Sequence, residues 1–389
     1  MAQELAYVII TPYSLHKSRT GGILARLITR TGLELVGARM FAPSAELVNK
    51  YSEVIVSADD PQDRRVQELI RSYILKNLNP DPKNGRRRRA MMLLFQGEDA
   101  VRKVRSVVGN ITAERSGGET IRDTYGDLIL DDNGQVRYFE PAVLAPPNVQ
   151  EAQLKAKLWA QYSDTDGGVV DNTIAYAPGE TPQRTLVLIK PDNFRFPTGR
   201  PGNVIDFFSR TGLYIVAIKV HRMSVAEAME FYGPVREILR TRLKDIVASR
   251  AAAAVEKELG FKVSSTEQQQ LGDILGRAFG DNQFDNIVKF MSGHAPNDTP
   301  EDQREQPGSE KCIALVYEGT NAVQKIRDVL GPTDPSKAPP GSIRREFGQT
   351  VMVNAAHASD SEDNAKREVG IIKIADNSFK RVVESFYGK

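Results

Sequence analysis

The chain has 389 residues, too many for one ordinary hydrophobic core and suited to two domains. With 40% apolar and 26% charged residues it has the balance of a folded globular protein, and its 52 basic and 50 acidic residues create no global field for nucleic acid. The single cysteine, Cys312, excludes an internal disulfide framework and a cysteine metal cluster.

In the first part, Arg30–Val36 reads RTGLELV, and Arg86–Arg89 is a run of four arginines before a strand predicted over Ala90–Phe95. Such a charge run ordinarily forms a solvated loop, with a phosphate or nucleic-acid contact as the alternative. Gly97–Gly109 reads GEDAVRKVRSVVG, and Ile121-Arg122 follows. Residues 163–183 are rich in Gly, Pro, Asp and Thr, show little periodicity, and read as a linker. Beyond them the pattern predicts a strand over Thr185–Ile189, a Pro/Gly-rich turn, a helix over Asn203–Arg210 and a strand over Leu213–Val220. Ser224-Val-Ala-Glu227 is a capping box that opens another helix. Strong helix formers fill Arg240–Gly280, and 294–310 is polar with three prolines, the composition of a mobile loop. A strand over Cys312–Tyr317, a helix over Asn321–Leu330 and a last strand over Val369–Ile374 complete the series. Apolar runs of this length fall far short of a membrane span, and MAQELAYVII does not resemble a secretory signal. The expectation is a cytoplasmic protein without membrane contact.

The chain repeats itself. RTGLELV returns 180 residues later as RTGLYIV at Arg210–Val216; GEDAVRKVRSVVG returns 222 residues later as GTNAVQKIRDVLG at Gly319–Gly331, and Ile121-Arg122 returns as Ile343-Arg344 at that same offset. The two offsets imply a duplication with 42 extra residues inserted in the second copy. The reading is one domain over 1–162 and a second over 184–389, the second carrying a helical insertion at about 234–284 and a loop insertion at about 294–310. The order β-α-β-(α)-β-α-β in each predicts an α+β fold: two ferredoxin-like βαββαβ domains with antiparallel sheets.

There are four histidines. His16, His221 and His294 have no carboxylate or cysteine spacing that suggests a ligand set. His357 lies in NAAHASDS (Asn354–Ser361), where small neighbours shield it little, although spacing alone does not separate a reactive imidazole from a structural one. Lys190, Arg327, Thr333 and Arg344 are groups able to hold phosphate, and no GxxxxGK[ST] loop is present.

Four motifs then stand in order: TLVLIKPD (Thr185–Asp192), LGPTDP (Leu330–Pro335), PGSIRREF (Pro340–Phe347) and NAAHASDS. Together they resemble the nucleoside diphosphate kinase family over nearly the whole second domain. The resemblance implies that His357 takes the γ-phosphoryl group of a nucleoside triphosphate and passes it to a nucleoside diphosphate, a ping-pong scheme. It implies that Glu368 orients the imidazole and Ser359 bonds that glutamate. Lys190, Arg327 and Arg344 would neutralise phosphate charge, Thr333 would donate a hydrogen bond, and Lys190 and Asn354 would hold sugar hydroxyls. Tyr232 matches the tyrosine near the histidine. Mg²⁺ would be held by phosphate oxygens and water, with no dedicated protein metal site. The sequence departs from the family at Gln283, where a base-stacking phenylalanine is usual and Phe284 is adjacent, at Ala358 for glycine, and at Arg345-Glu346 for Gly-Asp.

The first domain resembles the family more weakly. It keeps Tyr51, Arg105 and Arg122, but Thr11-Pro12-Tyr13 stands for Lys-Pro-Asp, Glu140 falls nearest the histidine slot, and extra residues including Asp131–Gly134 precede it. Family members pair side by side, which implies an intramolecular pseudo-dimer and possible homo-oligomers. The competing readings are a non-catalytic nucleotide sensor or regulatory scaffold, and nucleic-acid binding resting on Arg86–Arg89 alone.

Overall fold

The computed structural model describes residues 3–114 and 117–388. In the first half the strands are β1 (Gln3–Ile10), β2 (Glu34–Phe41), β3 (Ala90–Glu98), β4 (Asp127–Leu130), β5 (Val136–Glu140) and β6 (Val143–Leu144). In the second they are β7 (Gln183–Ile189), β8 (Tyr214–His221), β9 (Cys312–Gly319) and β10 (Ala356–Ala358). Two antiparallel four-stranded sheets result, ordered β2-β3-β1-β6 and β10-β7-β9-β8, the ferredoxin-like order in both; β4 and β5 form a separate hairpin. The central β9 is buried along its whole length; Cys312–Val316 is accordingly a continuous apolar run, and the buried Glu318 near its end is paired with Arg184 and Tyr176.

The duplication persists in backbone detail. Gly97 and Gly319 both have φ +156, Asp99 and Asn321 open their helices at φ +54 and +56, and Gly109 and Gly331 close them at φ +85 and +83. The halves meet through the helices Thr20–Thr31 and Arg200–Phe208. A Cβ on Gly21 would lie 2.4 Å from the Gly202 carbonyl oxygen, and one on Gly202 would lie 2.3 Å from that of Gly21, so only glycine allows this approach.

Compaction does not follow the repeat. Residues 1–220 with 313–389 form one unit, and 221–312 another. The terminal helix Ser378–Tyr387 explains the first grouping: its Phe379 and Val383 join the core of the first sheet, where Phe379 packs edge-on to Phe41, 5.6 Å between ring centres. The predicted linker is tied down as well. Asp166 accepts from the Ser44 amide at 2.8 Å and from Arg87 at 3.1 Å, and the Val170 amide donates to the Val216 carbonyl at 3.0 Å.

The second unit contains the helices Val225–Arg242, Lys244–Leu259 and Ser265–Ser292. The Ser224–Glu227 capping box forms as predicted, and Ser264–Glu267 makes another. Gly280 lies so close to the first of these helices that a Cβ there would come within 2.6 Å of Arg240 Cα. The segment 294–310, predicted as mobile, has a defined path: two 3₁₀ turns, Pro296–Asp298 and Glu301–Gln303, with Arg304 donating to the Pro296 carbonyl at 3.0 Å.

One predicted element is wrong. Val369–Ile374 is no strand; Val369–Ile372 ends the helix Glu362–Ile372, and the edge strand is the three-residue β10. Ser361 caps that helix by accepting from the Asn364 amide at 3.1 Å, and Ala365, Glu368, Ile371 and Ile372 form a buried stripe at helical spacing. Three residues reading Ala-His-Ala leave no β signature.

Candidate active site

Strand pairing fixes the position of His357. β10 runs against β7 with His357 opposite Leu188, and the Ser359 amide donates to the Leu186 carbonyl at 3.1 Å. The imidazole is partly exposed, and its Nε2 lies 3.0 Å from Glu368 Oε2. The same carboxylate oxygen accepts from the fully buried Ser359 hydroxyl at 2.6 Å. With Nε2–H donated to Glu368, the neutral ring carries its lone pair on Nδ1. Glu368 reaches this point because the helix beginning at Glu362 buries the stripe that carries it.

Around the imidazole the KPD end of β7 and the loop before β10 interlock. Lys190 Nζ donates to Asn354 Oδ1 at 2.9 Å and to the Met352 carbonyl. Asn354 Nδ2 in turn donates to the carbonyls of Thr333 (3.1 Å) and Val351 (2.8 Å). Burial pushes the Lys190 ammonium down to about 7, against the opposing pull of Asp192 and with the neighbouring Arg344 charge adding to the fall. Arg344 donates to the carbonyls of Gly331 (3.0 Å) and Ala356 (3.2 Å), so two of its five N–H groups brace the loop behind His357. Arg327 is exposed on the helix Ala322–Leu330; it helps hold down the Asp360 carboxyl, which is lowered chiefly by its hydrogen bond from Asn364. Thr333 is exposed beside Asn354. Of the predicted residues, Lys190, Asn354 and Thr333 form one hydrogen-bonded group and His357, Ser359 and Glu368 another, while Arg344 holds the carbonyl of Ala356 next to the histidine. Tyr232 is on the helix Val225–Arg242 of the other unit, where its ring lies 5.0 Å from that of Phe231.

Four residues without an assigned role, Ala355, Asp192, Asn193 and Arg200, complete the site. Ala355, two residues before the histidine, is left-handed at φ +70, a region costly for any side chain with a Cβ. Its amide donates to Asp192 Oδ2 at 3.2 Å, and its carbonyl accepts from the Lys190 amide (2.9 Å) and from Asn193 Nδ2 (2.7 Å). Arg200 pairs with Asp192 at 3.0 Å and donates to Asn193 Oδ1 at 2.9 Å. The signal available in the sequence was the KPD motif itself, whose aspartate had no stated function. Ala358, where glycine is usual, is buried in β10 outside the left-handed region, so its methyl meets no backbone penalty.

The first half repeats this frame with different chemistry. Ala142 is left-handed at φ +61 and its carbonyl accepts from the Thr11 amide at 3.3 Å, as Ala355 does from Lys190. Ala142 and Ala355 are 213 residues apart, and β6 pairs Leu144 with Ile9 as β10 pairs His357 with Leu188. The histidine slot therefore holds Leu144, which corrects the placement of Glu140 there. Glu140 instead accepts from the Ala142 amide at 3.0 Å, the task Asp192 performs in the second half, and also from Thr11 (2.9 Å) and the Tyr73 hydroxyl (2.7 Å). Burial holds its carboxyl above the ordinary range despite these donors. At the same offset Lys155 stands for Glu368 and is paired within the core to Glu151 at 2.7 Å. Arg122 keeps the bracing role, donating to the carbonyls of Gly109 (2.7 Å) and Val143 (3.3 Å). The cavity beside it, lined by Thr112, Arg122, Phe139 and Glu140 among others, is only about 20 Å³.

A partly exposed imidazole held by a buried carboxylate and serine thus lies at one edge of a ferredoxin-like sheet. A family model described as nucleoside diphosphate kinase matches residues 240–376. A nucleoside diphosphate kinase of Campylobacter hominis is 32% identical over 187 residues, covering 48% of this chain and 92% of that protein. One from Pyrobaculum aerophilum is 29% identical over 201 residues, covering 48% and 92%. The crystal structure of the Aquifex aeolicus nucleoside diphosphate kinase aligns at 27% identity over 49% of this chain and 95% of that one, with a TM-score of 0.30. The chain belongs to the nucleoside diphosphate kinase family.

Proposed function

We propose that the second half catalyses phosphoryl exchange between nucleoside tri- and diphosphates through phospho-His357, and that the first half is a non-catalytic partner. The His357–Glu368–Ser359 chain carries this reading. His357 Nδ1 attacks the γ-phosphorus; the bond to the β,γ-bridging oxygen breaks and its electron pair leaves with the diphosphate. Glu368 stabilises the ring as it becomes positive, and Ser359 keeps that carboxylate oriented. A second nucleoside diphosphate then attacks the phosphohistidine through its terminal oxygen and restores the imidazole.

Lys190 and Arg327, with the remaining donors of Arg344, neutralise charge on the transferring group, and Thr333 donates to it; Lys190 and Asn354 hold the sugar hydroxyls. Tyr232 is assigned the place near the histidine from its motif position. No group of three or more His, Cys, Asp or Glu suited to a metal occurs among the described residues. Mg²⁺ carried by nucleotide phosphates and water would neutralise phosphate charge. Leu144 and Lys155 support the non-catalytic reading of the first half, since neither can replace His357 or Glu368. The Gly21–Gly202 approach supports an intramolecular pseudo-dimer. Among the described residues no helix is long and apolar enough to cross a membrane.

The test is phosphoenzyme formation. Wild type and His357→Ala are incubated with γ-labelled ATP and Mg²⁺, then chased with GDP. An acid-labile label on wild type alone, recovered as GTP, is the expected result. ATP binding without label on either protein would overturn catalysis and leave the nucleotide-sensor reading.

A further inference from the structure

The four arginines at 86–89 lie in a partly exposed loop, as expected, but three of them are tied to distant groups. Arg87 donates to the Ala42 carbonyl (3.3 Å) and pairs with Asp166 (3.1 Å); Arg88 donates to the Lys76 carbonyl (2.9 Å), and Arg89 to the Ile215 carbonyl while its guanidinium lies 5.1 Å from the Tyr214 ring centre. Among the described residues Arg87 is the one of the four in a salt bridge with a carboxylate, and Glu318 acts on Arg89 from further away. A backbone carbonyl satisfies an N–H without cancelling its charge, so Arg87, Arg88 and Arg89 are anchored while much of the charge of the run remains.

These side chains surround a cavity of about 180 Å³, closed by Pro12, Asp81 and Thr173. Asp81 is the one acid lining it, and its Oδ1 already accepts from the Lys83 amide at 2.8 Å. Thr173 Oγ1 is buried there with no hydrogen-bond partner. Arg86 and Arg87 also line a neighbouring cavity of about 530 Å³ with Asn84, Thr165 and Asn172; its two acids, Asp166 and Asp171, are paired with Arg87 and Arg184. Three anchored guanidiniums with Arg86 beside them, the Thr173 hydroxyl and two cavities sharing two arginines suit an elongated anion whose oxygens accept in forks.

We propose that Arg86, Arg87, Arg88, Arg89 and Thr173 form a second anion site, outside the His357 site, that binds a phosphate chain. The chain is either free polyphosphate or the phosphate tail of a nucleotide. Its location, between the first sheet and the 163–183 segment, would let an anion brace that segment against the arginine turn.

The test is a calorimetric titration of inorganic tripolyphosphate into the full-length protein. Two sites per chain are expected. Arg86→Ala should weaken one of them on the order of 10-fold, the scale of a lost charged hydrogen bond; Arg344→Ala should weaken the other. Because Arg86 anchors nothing, its variant should keep the wild-type melting temperature, and Thr173→Val should weaken the same site without altering charge. ATP on a His357→Ala background separates the two sources: equal occupancy of the arginine site assigns it to a nucleotide tail, and tripolyphosphate binding there without ATP binding assigns it to the free chain. Saturation at one tripolyphosphate per chain with Arg86→Ala indistinguishable from wild type would overturn the proposal. So would affinity shown only for a single-stranded oligonucleotide.

Discussion

Removing the Asp192 side chain tests the geometry behind His357. Asp192 Oδ2 is the acceptor for the buried Ala355 amide and the partner of Arg200. In Asp192→Ala that amide is orphaned at about 1–3 kcal/mol. Relaxing Ala355 from φ +70 would recover about 1–2 kcal/mol. Both terms favour a backbone flip at 355, opposed by the two bonds to the Ala355 carbonyl. A flip favoured by about 1.4 kcal/mol leaves about one molecule in ten with His357 in register, so single-turnover labelling should slow on the order of 10-fold. Asp192→Asn keeps an oxygen acceptor but loses the ion pair with a partly exposed arginine, worth up to about 1 kcal/mol, and the charge that supports protonated Lys190. At pH 6, where Lys190 is protonated in either protein, its rate should fall within about fivefold. Labelling kinetics and urea unfolding measure the two effects. Asp192→Ala with wild-type labelling and unchanged unfolding free energy would refute the clamp.

Lys190, held down to about 7 in the folded protein against an ordinary 10.5, makes two pH effects. The unfolded chain keeps a proton that the folded one sheds between these values, so this group's contribution to stability rises with pH across that window and is least favourable below it. An arriving phosphate restores the charge, so nucleotide binding above pH 7 takes up a proton and its affinity falls by up to about tenfold per pH unit. Calorimetry at pH 8 in two buffers of different ionisation enthalpy should show uptake in wild type that Lys190→Met lacks; equal uptake in both would sink this account. Gly202→Ala should destabilise the protein by about 1–3 kcal/mol in urea melts, since its new methyl meets backbone atoms that cannot move aside, and an unchanged midpoint would argue against the tight helix contact.

Much of this protein is legible in residue order. Two fixed offsets announce duplication, because repeated local patterns build repeated local structure; the matching φ values at Gly97 and Gly319 or Gly109 and Gly331 follow directly. His357, Ser359 and Lys190 stand in motifs, each a short stretch whose neighbours in sequence are also neighbours in space, and Glu368 follows from the family resemblance. What required tertiary structure was every relation set by pairing between distant segments. Leu144 takes the histidine slot, and Glu140 the work of Asp192, because strand register and the inserted β4–β5 hairpin decide which side chain arrives where. β10 is a strand because β7 offers it an edge, its three residues having no propensity of their own. The last helix completes the first core, and the arginine run turns inward onto distant carbonyls, because apolar burial and hydrogen-bond satisfaction are settled by the whole packed chain and have no local signature.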